Sequence, residues 1–316
     1  MAKGHKPRAG SRAFWPRKRA KRMFDSFGTH VRKESQAIPL AFAGYKAGMT
    51  TVLVADSRKG TATHGREIAL PATVLAVPPL VVAGIKLYAR GPYGLRDLKT
   101  FLAEKTSPAL ARVLTPPKQR AKPELLPGTA EVRLLVHEQP FFKKTPELFE
   151  IPLGGEAAQA FAFAVGKLGQ EIAIADVFKE GEFVDVKAVN KGKGVQGPVA
   201  RFHIKIRSRK DHGKRRHLGS LGPITPSKVL PGKLALPGQM GFGTRTEYSK
   251  QVLKIGTDGL TPKGGWVGFP ALRGSYVVIR GSVPGPKKRL IMLRKGLRAS
   301  PADKLEVTHT VLESQQ

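Results

Sequence analysis

The sequence contains no cysteine. That absence excludes disulfides, thiolate nucleophiles, iron–sulfur clusters and cysteine-bearing zinc sites together. It fits an intracellular protein, including one that works hot, where labile thiols are disfavoured. Acids are scarce: 23 Asp and Glu stand against 55 Lys and Arg, a net charge of +32. General acid–base catalysis needs a carboxylate or histidine poised among partners. Here the acids are scattered, and from Lys191 up to Glu247 the sole acid is Asp211. There is no Walker A sequence and no HExxH, and the eight histidines show no paired-ligand spacing. His212 and His217 lie in a cationic stretch that would repel a further divalent cation. These absences point to a non-enzyme with no cofactor, no metal site and no small-molecule substrate.

Long apolar runs are missing too. The uncharged stretch from Ala69 to Ile85 is broken by Pro71, Pro78 and Pro79. It reads as two buried strands with a Pro-Pro break and falls short of a bilayer span of about 20 residues. The start, MAKGHKPRAG, has no apolar core behind its charges, and there is no Gly at position 2 and no cysteine to carry a lipid. No membrane partner is expected.

What remains is positive charge in two blocks. Lys3, Lys6, Arg8, Arg12, Arg17, Lys18, Arg19, Lys21 and Arg22 crowd the first block, with Trp15 among them. Cations interleaved with aromatics suit RNA, where phosphates meet the charges and an unpaired base meets a ring; Trp15 packed back on the protein is the alternative. The second block carries Lys191, Lys193, Arg201, Lys205, Arg207, Arg209, Lys210, Lys214, Arg215 and Arg216 against Asp211 alone. The rest is glycine, proline and scattered small or apolar residues. Such a segment cannot bury enough apolar surface to offset its ordering entropy. It acquires a shape when a polyanion neutralises it. Gly192 to Gly197 matches GxGxxG, but Pro198 and the alternating VARFHIKI follow, and the region near His217 is basic, so a dinucleotide site is rejected.

Around these blocks lies a β-rich body. AFAGYKAGMTTVLVAD reads as two short strands around Gly44 and Gly48, and further strands are expected in REIALPATVLAV, VVAGIKLYAR, EVRLLVHEQP, EIAIADVF, EFVDVKAVN, KQVLKIG, SYVVIRG, KRLIMLR and KLEVTHTVL. Leu95, Leu98, Phe101 and Leu102 have helical spacing, and EAAQAFAFAVGKLG is a second helical segment. PGPKKRLIMLRKGLR reads as a second basic face or a solvated edge strand. The fold class is mainly β with an α/β insertion: many short strands between Gly/Pro turns suit a closed β-barrel. The expected partition is a basic RNA-binding extension over 1–37, a barrel body over 38–90, 170–199 and 248–316, an α/β insertion over 91–169, and an RNA-penetrating loop over 200–247.

Four stretches carry a family likeness: GHKPRAGSRAFWPRKRAK at the start, FAGYKAGMT at Phe42 to Thr50, DVFKEGEFVDVKAVNKGKGVQGPVARF at Asp176 to Phe202, and KRRHLGSLGPITPSKVLPGKLALPGQMGFGTRTEYSKQVLKIG at Lys214 to Gly256. In these the chain resembles the large-subunit ribosomal protein L3 family in its archaeal/eukaryotic form. The resemblance implies a translation-protein-type barrel and contacts with large-subunit rRNA and neighbouring large-subunit ribosomal proteins. It implies an early role in assembly and a place in the cytoplasmic ribosome. The loop would reach towards the peptidyl-transferase centre, with Pro223, Ile224 and Thr225 at its tip. The rRNA-binding set would be both basic blocks with Trp15, His212, Lys228, Lys233, Gln239 and Arg245. His212 resembles the family's loop histidine, which is methylated in some eukaryotic members. Many relatives place Trp-His where this chain has Ile224-Thr225, so the tip acts by shape and charge. Two other classes, an RNA-modifying enzyme sharing a barrel and a chromatin-type DNA protein, would require a nucleotide or methyl-donor site, or a preference for duplex DNA.

Limited trypsin digestion of the free protein is expected to cut first within residues 3–33 and 191–216, and cognate RNA should slow both cuts. Equal rates with and without RNA would count against coupled ordering.

Overall fold

Valine-, isoleucine- and leucine-rich segments separated by Gly and Pro fold here as strands, as β-branched residues favour a pleated, half-buried surface. The computed structural model describes residues 15–25, 27, 34–58, 60–104, 106–115, 117, 121–225, 227–229, 232, 234–257, 259–298 and 305–313. In chain order the strands are β1 (Ala41–Ala55), β2 (Glu67–Ala76), β3 (Leu80–Gly91), β4 (Gly94–Leu102), β5 (Glu131–Glu138), β6 (Glu147–Pro152), β7 (Glu171–Ile172), β8 (Phe183–Val189), β9 (Val195–Gln196), β10 (Gly238–Gln239), β11 (Thr244–Thr257), β12 (Ser275–Arg280), β13 (Leu290–Lys295) and β14 (Glu306–Thr310). Two α-helices join them, α1 (Ala157–Gly166) and α2 (Pro198–Phe202). The fold is mainly β. The chain divides into two compact units: a body, Met23–Ala188 with Arg245–Gln316, and a loop unit, Met1–Arg22 with Val189–Thr244.

The body holds two sheets. In the first the order is β13-β8-β11-β12-β2-β1-β14, and a further pairing of β13 with β1 returns the path on itself. The long strand β1 makes this possible. Its first residues, Ala41 to Tyr45, pair with β13, and its far end, Val52 to Ala55, pairs with β14. Its other edge pairs with β2 from Tyr45 to Ala55. Phe42, Val52, Val74, Leu75, Val186, Ile279, Ile291 and Leu293 of its strands are buried in the hydrophobic core, which the second sheet shares. The second sheet has the order β4-β3-β5-β6, with β7 on β3. Helix α1, built from helix-favouring alanines, buries Ala160 and Ala164.

Several expectations change against this frame. Residues 41–55 form one strand, where two were expected. A bulge between Lys46 and Gly48 keeps the strand running. A Cβ at Gly48 would lie 2.4 Å from the Trp266 ring, so glycine admits the indole where a turn was read. The helical spacing of Leu95 to Leu102 proves misleading: the segment is β4, paired with β3 from Gly84↔Leu102 to Gly91↔Gly94. A tight hairpin across Pro92-Tyr93 fixes that register, and pairing overrides the helical period. Strand β3, inside the span 38–90 assigned to the barrel body, runs in the second sheet. EIAIADVF holds only the two-residue β7 and then a 3₁₀ turn at Ile174–Asp176. The Pro-Pro break, the helix α1 and strands β5, β8, β11, β12, β13 and β14 stand as expected.

Strand β13 is not a solvated edge, since it pairs on both sides. Its Arg294 is buried and binds Asp185 at 3.1 Å, with the guanidinium 4.7 Å from the Phe27 ring centroid. Asp185 also accepts from the Ser249 and Leu297 N–H groups at 3.0 and 3.2 Å, so this buried carboxylate is fully paired.

Glu138 is the opposite case. It is fully buried, and among the described residues neither carboxylate oxygen has a hydrogen-bond partner. Register places it directly opposite Glu147 across β5 and β6. Burial first, and the Glu147 charge second, push its pKa well above the ordinary carboxylate range. The folded protein then holds a proton that the unfolded chain releases, so stability falls as pH rises from the ordinary carboxylate range through the raised pKa. Glu138→Gln should therefore raise the urea midpoint at pH 8 and change it less at pH 4. A midpoint unchanged at pH 8 would refute the assignment.

Candidate nucleic-acid interface

The loop unit is closed at its stem by backbone pairing. β9 and β10 are antiparallel, with Val195 opposite Gln239 and Gln196 opposite Gly238. The Lys193 N–H donates to the Met240 carbonyl at 3.0 Å, and the Met240 N–H to the Gly194 carbonyl at 2.8 Å. Asn190 joins from both sides: its N–H donates to the Gly243 carbonyl at 3.0 Å, and its Oδ1 accepts from the Gly243 N–H at 2.9 Å. Gly241 has φ +72°, and a Cβ there would lie 2.1 Å from the Lys191 carbonyl oxygen. No other residue permits that approach without backbone movement.

Within the stem, Pro198 opens helix α2 at the position where a missing N–H costs nothing. The alternation in VARFHIKI was read as extended; its first residues are this five-residue helix. The helix buries Phe202 completely and holds Arg201 at 4 % exposure. The Arg201 guanidinium donates to the Leu236 carbonyl at 2.7 Å and the Gln239 carbonyl at 3.1 Å. It lies 5.4 Å from the Trp15 ring centroid and 5.1 Å from that of Phe202, while Arg17 covers Phe202 at 4.4 Å. Burial, then the like charge of Arg17, lowers the Arg201 pKa. Trp15 keeps 39 % of its surface exposed and also lies against Gly232. The Ala20 N–H donates to the Phe242 carbonyl at 2.7 Å, which fastens the first basic block to the stem.

Beyond the stem the chain has no core. Among the described residues from His203 to Val229, none is buried. A 3₁₀ turn at Arg209–Lys214 is held by backbone bonds from Asp211 to Ser208 and from Arg215 to His212. His212 sits in it at φ +42°. The Arg207 N–H donates to the Arg215 carbonyl at 3.1 Å, and its guanidinium to the Leu218 carbonyl at 3.2 Å. Lys205, Arg209, Lys210, His212, Lys214, Arg215 and Arg216 are all exposed. Among the described residues no ion pair joins these bases to an acid. Pro223, Ile224 and Thr225 are exposed, with Ile224 at 89 %.

The remaining expected site residues divide. Lys18, Arg19, Lys21, Arg22, Lys191, Lys193 and Lys228 are exposed in this unit. Gln239 is half-buried and donates to the Met240 and Gly241 carbonyls at 3.2 Å. Arg245 is exposed but belongs to the body. Lys3, Lys6, Arg8, Arg12 and Lys233 lie outside the described residues. Asn190, Phe202 and Gly241 carry no charge and were not singled out; Asn190, at the head of the glycine run, was the readable signal.

Of the 55 lysines and arginines, 21 fall in the loop unit, against one of the 23 acids; that unit carries +20 and the body +12. Charge of that density and single sign attracts polyanions.

A family profile described as "Ribosomal protein L3" matches residues 1–125 and 128–313. The large ribosomal subunit protein uL3 of Methanothermobacter thermautotrophicus is 44 % identical over 319 residues, covering 95 % of this chain and 94 % of its own. That of Methanothrix harundinacea is 42 % identical over 319 residues, covering 96 % and 95 %. That of Archaeoglobus fulgidus is 40 % identical over 332 residues, covering 99 % of each.

Arg201→Ala should leave two stem carbonyls without donors, at a local cost of about 1–3 kcal/mol. Native-state hydrogen exchange should then show faster exchange at the Lys193 and Met240 amides. Arg201→Lys should not restore protection, because an ammonium cannot reproduce the planar fork. Unchanged exchange in Arg201→Ala would remove the stem role.

Proposed function

Because the chain belongs to the ribosomal protein L3 family, a structural and non-enzymatic component of the large ribosomal subunit, we propose that it works there by threading its loop unit into large-subunit rRNA. The observation that carries this is the charge partition: +20 concentrated in one unit whose exposed bases have no acid partner among the described residues. Phosphate is the ligand that such a surface lacks, and arginine forks take it bidentately. In this reading Lys205, Arg209, Lys210, Lys214, Arg215 and Arg216 meet phosphates, with His212 in the same turn, and Lys18, Arg19, Lys21 and Arg22 track a second strand of backbone. Lys191, Lys193, Lys228 and Arg245 flank the path, and Gln239 holds the stem. Lys3, Lys6, Arg8, Arg12 and Lys233 extend the set by sequence. Arg201 acts as a positioning residue, since its guanidinium faces the protein's own carbonyls.

The tip Pro223-Ile224-Thr225 is assigned to the surroundings of the peptidyl-transferase centre, where catalysis belongs to the RNA. The returning strand path of the body supports a closed barrel. The division into extension, barrel body, insertion and penetrating loop is kept, with β3 and β7 moved from the barrel body to the sheet of the insertion. Early binding during subunit assembly, contacts with neighbouring large-subunit proteins and residence in the cytoplasmic ribosome complete the reading.

The test is the salt dependence of rRNA binding, with co-sedimentation as its cellular counterpart. Neutralising roughly 6–10 phosphates loses about three to five decades of affinity between 50 and 200 mM salt. Replacing Lys214, Arg215 and Arg216 by glutamine should lower the log–log slope by about 2–3. The chain should also stay with large subunits through a high-salt wash. A slope near zero, or a preference for duplex DNA over structured rRNA, would overturn the proposal.

A further inference from the structure

The loop unit does not account for a second cationic feature, which lies on the body. A cleft of about 710 Å³ is lined by Phe141, Lys143, Lys144, Arg273 and Gln139, among others. A smaller one of about 330 Å³ has Arg112 in its wall and shares Gln139 and Lys144 with the first. The larger volume suits a small planar ligand. Among the described lining residues every charged side chain is a cation. Lys143 is ion-paired with Glu147, which leaves Lys144, Arg273 and Arg112 facing the clefts.

Phe141 is unusual for its setting. It is 44 % exposed, yet its ring is fixed edge-on by Phe142 at 5.6 Å and Phe269 at 6.2 Å between centroids. Phe142 packs in turn on Tyr45 at 5.2 Å. The exposed ring is thus held between the half-buried Phe142 and the buried Phe269, and the Arg273 guanidinium lies 6.0 Å from its centroid. A packed, exposed ring beside a planar cation is a stacking platform, and the one cation and one amide of the shared wall, Lys144 and Gln139, suit phosphate and base edge.

We propose that these two clefts form a second RNA site, which takes two successive unstacked nucleotides of a single-stranded segment. The first base lies on Phe141, the phosphate between the two lies over Lys144 at the shared wall, and the second nucleotide enters the smaller cleft beside Arg112. Gln139 reads a base edge. Arg273 meets the phosphate on the far side of Phe141. An acidic peptide would satisfy the cations but would leave the flat ring without a partner, so charge and stacking together favour RNA.

The test uses the full-length chain and a single-stranded hexauridine carrying 5-iodouridine, crosslinked at subsaturating concentration and mapped by mass spectrometry. Adducts are expected within residues 139–144 as well as in the loop unit. Phe141→Ala should lower the 139–144 adducts by at least about fivefold and leave the loop adducts unchanged. Lys144→Glu combined with Arg273→Glu should give a similar loss while Phe141, Phe142 and Phe269 are all retained. Adducts confined to the loop unit would overturn the proposal. So would equal adducts from a blunt duplex, or displacement by oligoglutamate as effective as by unlabelled hexauridine, the result an acidic-peptide site would give. Loop adducts are read in the same digest, so failure of the cleft is distinguishable from failure of the loop assignment.

Discussion

Positive charge that the chain does not neutralise itself is the constraint on which this architecture depends. The body carries +12 over most of the sequence and tolerates it, because its charges are spread over two sheets and several are paired. The loop unit carries +20 with one acid and, from His203 to Val229, no buried residue among those described. Self-repulsion at that density opposes compaction. The unit is consequently built from backbone: a two-rung ladder, carbonyl acceptors and glycines at close approaches. Side-chain burial is concentrated at Arg201 and Phe202 near the stem.

Arginine plays two different parts as a result. Where a guanidinium is buried it serves the protein, as Arg201 does with two carbonyls and Arg294 with Asp185. In the loop unit Arg209, Arg215 and Arg216 are exposed and make no ion pair among the described residues. The same residue type in the same basic run can therefore hold the scaffold or stay in solvent, and burial decides which.

That distinction explains how much was legible beforehand. Charge blocks, absent cysteine, strand-rich segments and the α1 alanines are local properties, and they pointed correctly to a mainly β, non-enzymatic chain. What failed depended on partners distant in sequence. Gly48 looks like a turn until Trp266 is seen to need its space. Leu95 to Leu102 has helical spacing, but β3 captures it as a strand. Arg201 and Arg294 are indistinguishable from their neighbours in composition, and only Leu236, Gln239 and Asp185 reveal their roles. The cleft around Phe141 was invisible because Arg112, Lys144 and Arg273 are far apart along the chain.

The strands that flank the long loop, β8 and β11, are neighbours in the first sheet. The excursion between them therefore leaves and re-enters at one seam. Its length enters no strand register, and each doubling of an open loop costs only about 0.6 kcal/mol in closure entropy. Insertions or deletions at the tip can accumulate while the surrounding β-structure keeps its pairing. The tip can thus diverge at a tempo that the pairing of the surrounding strands does not set.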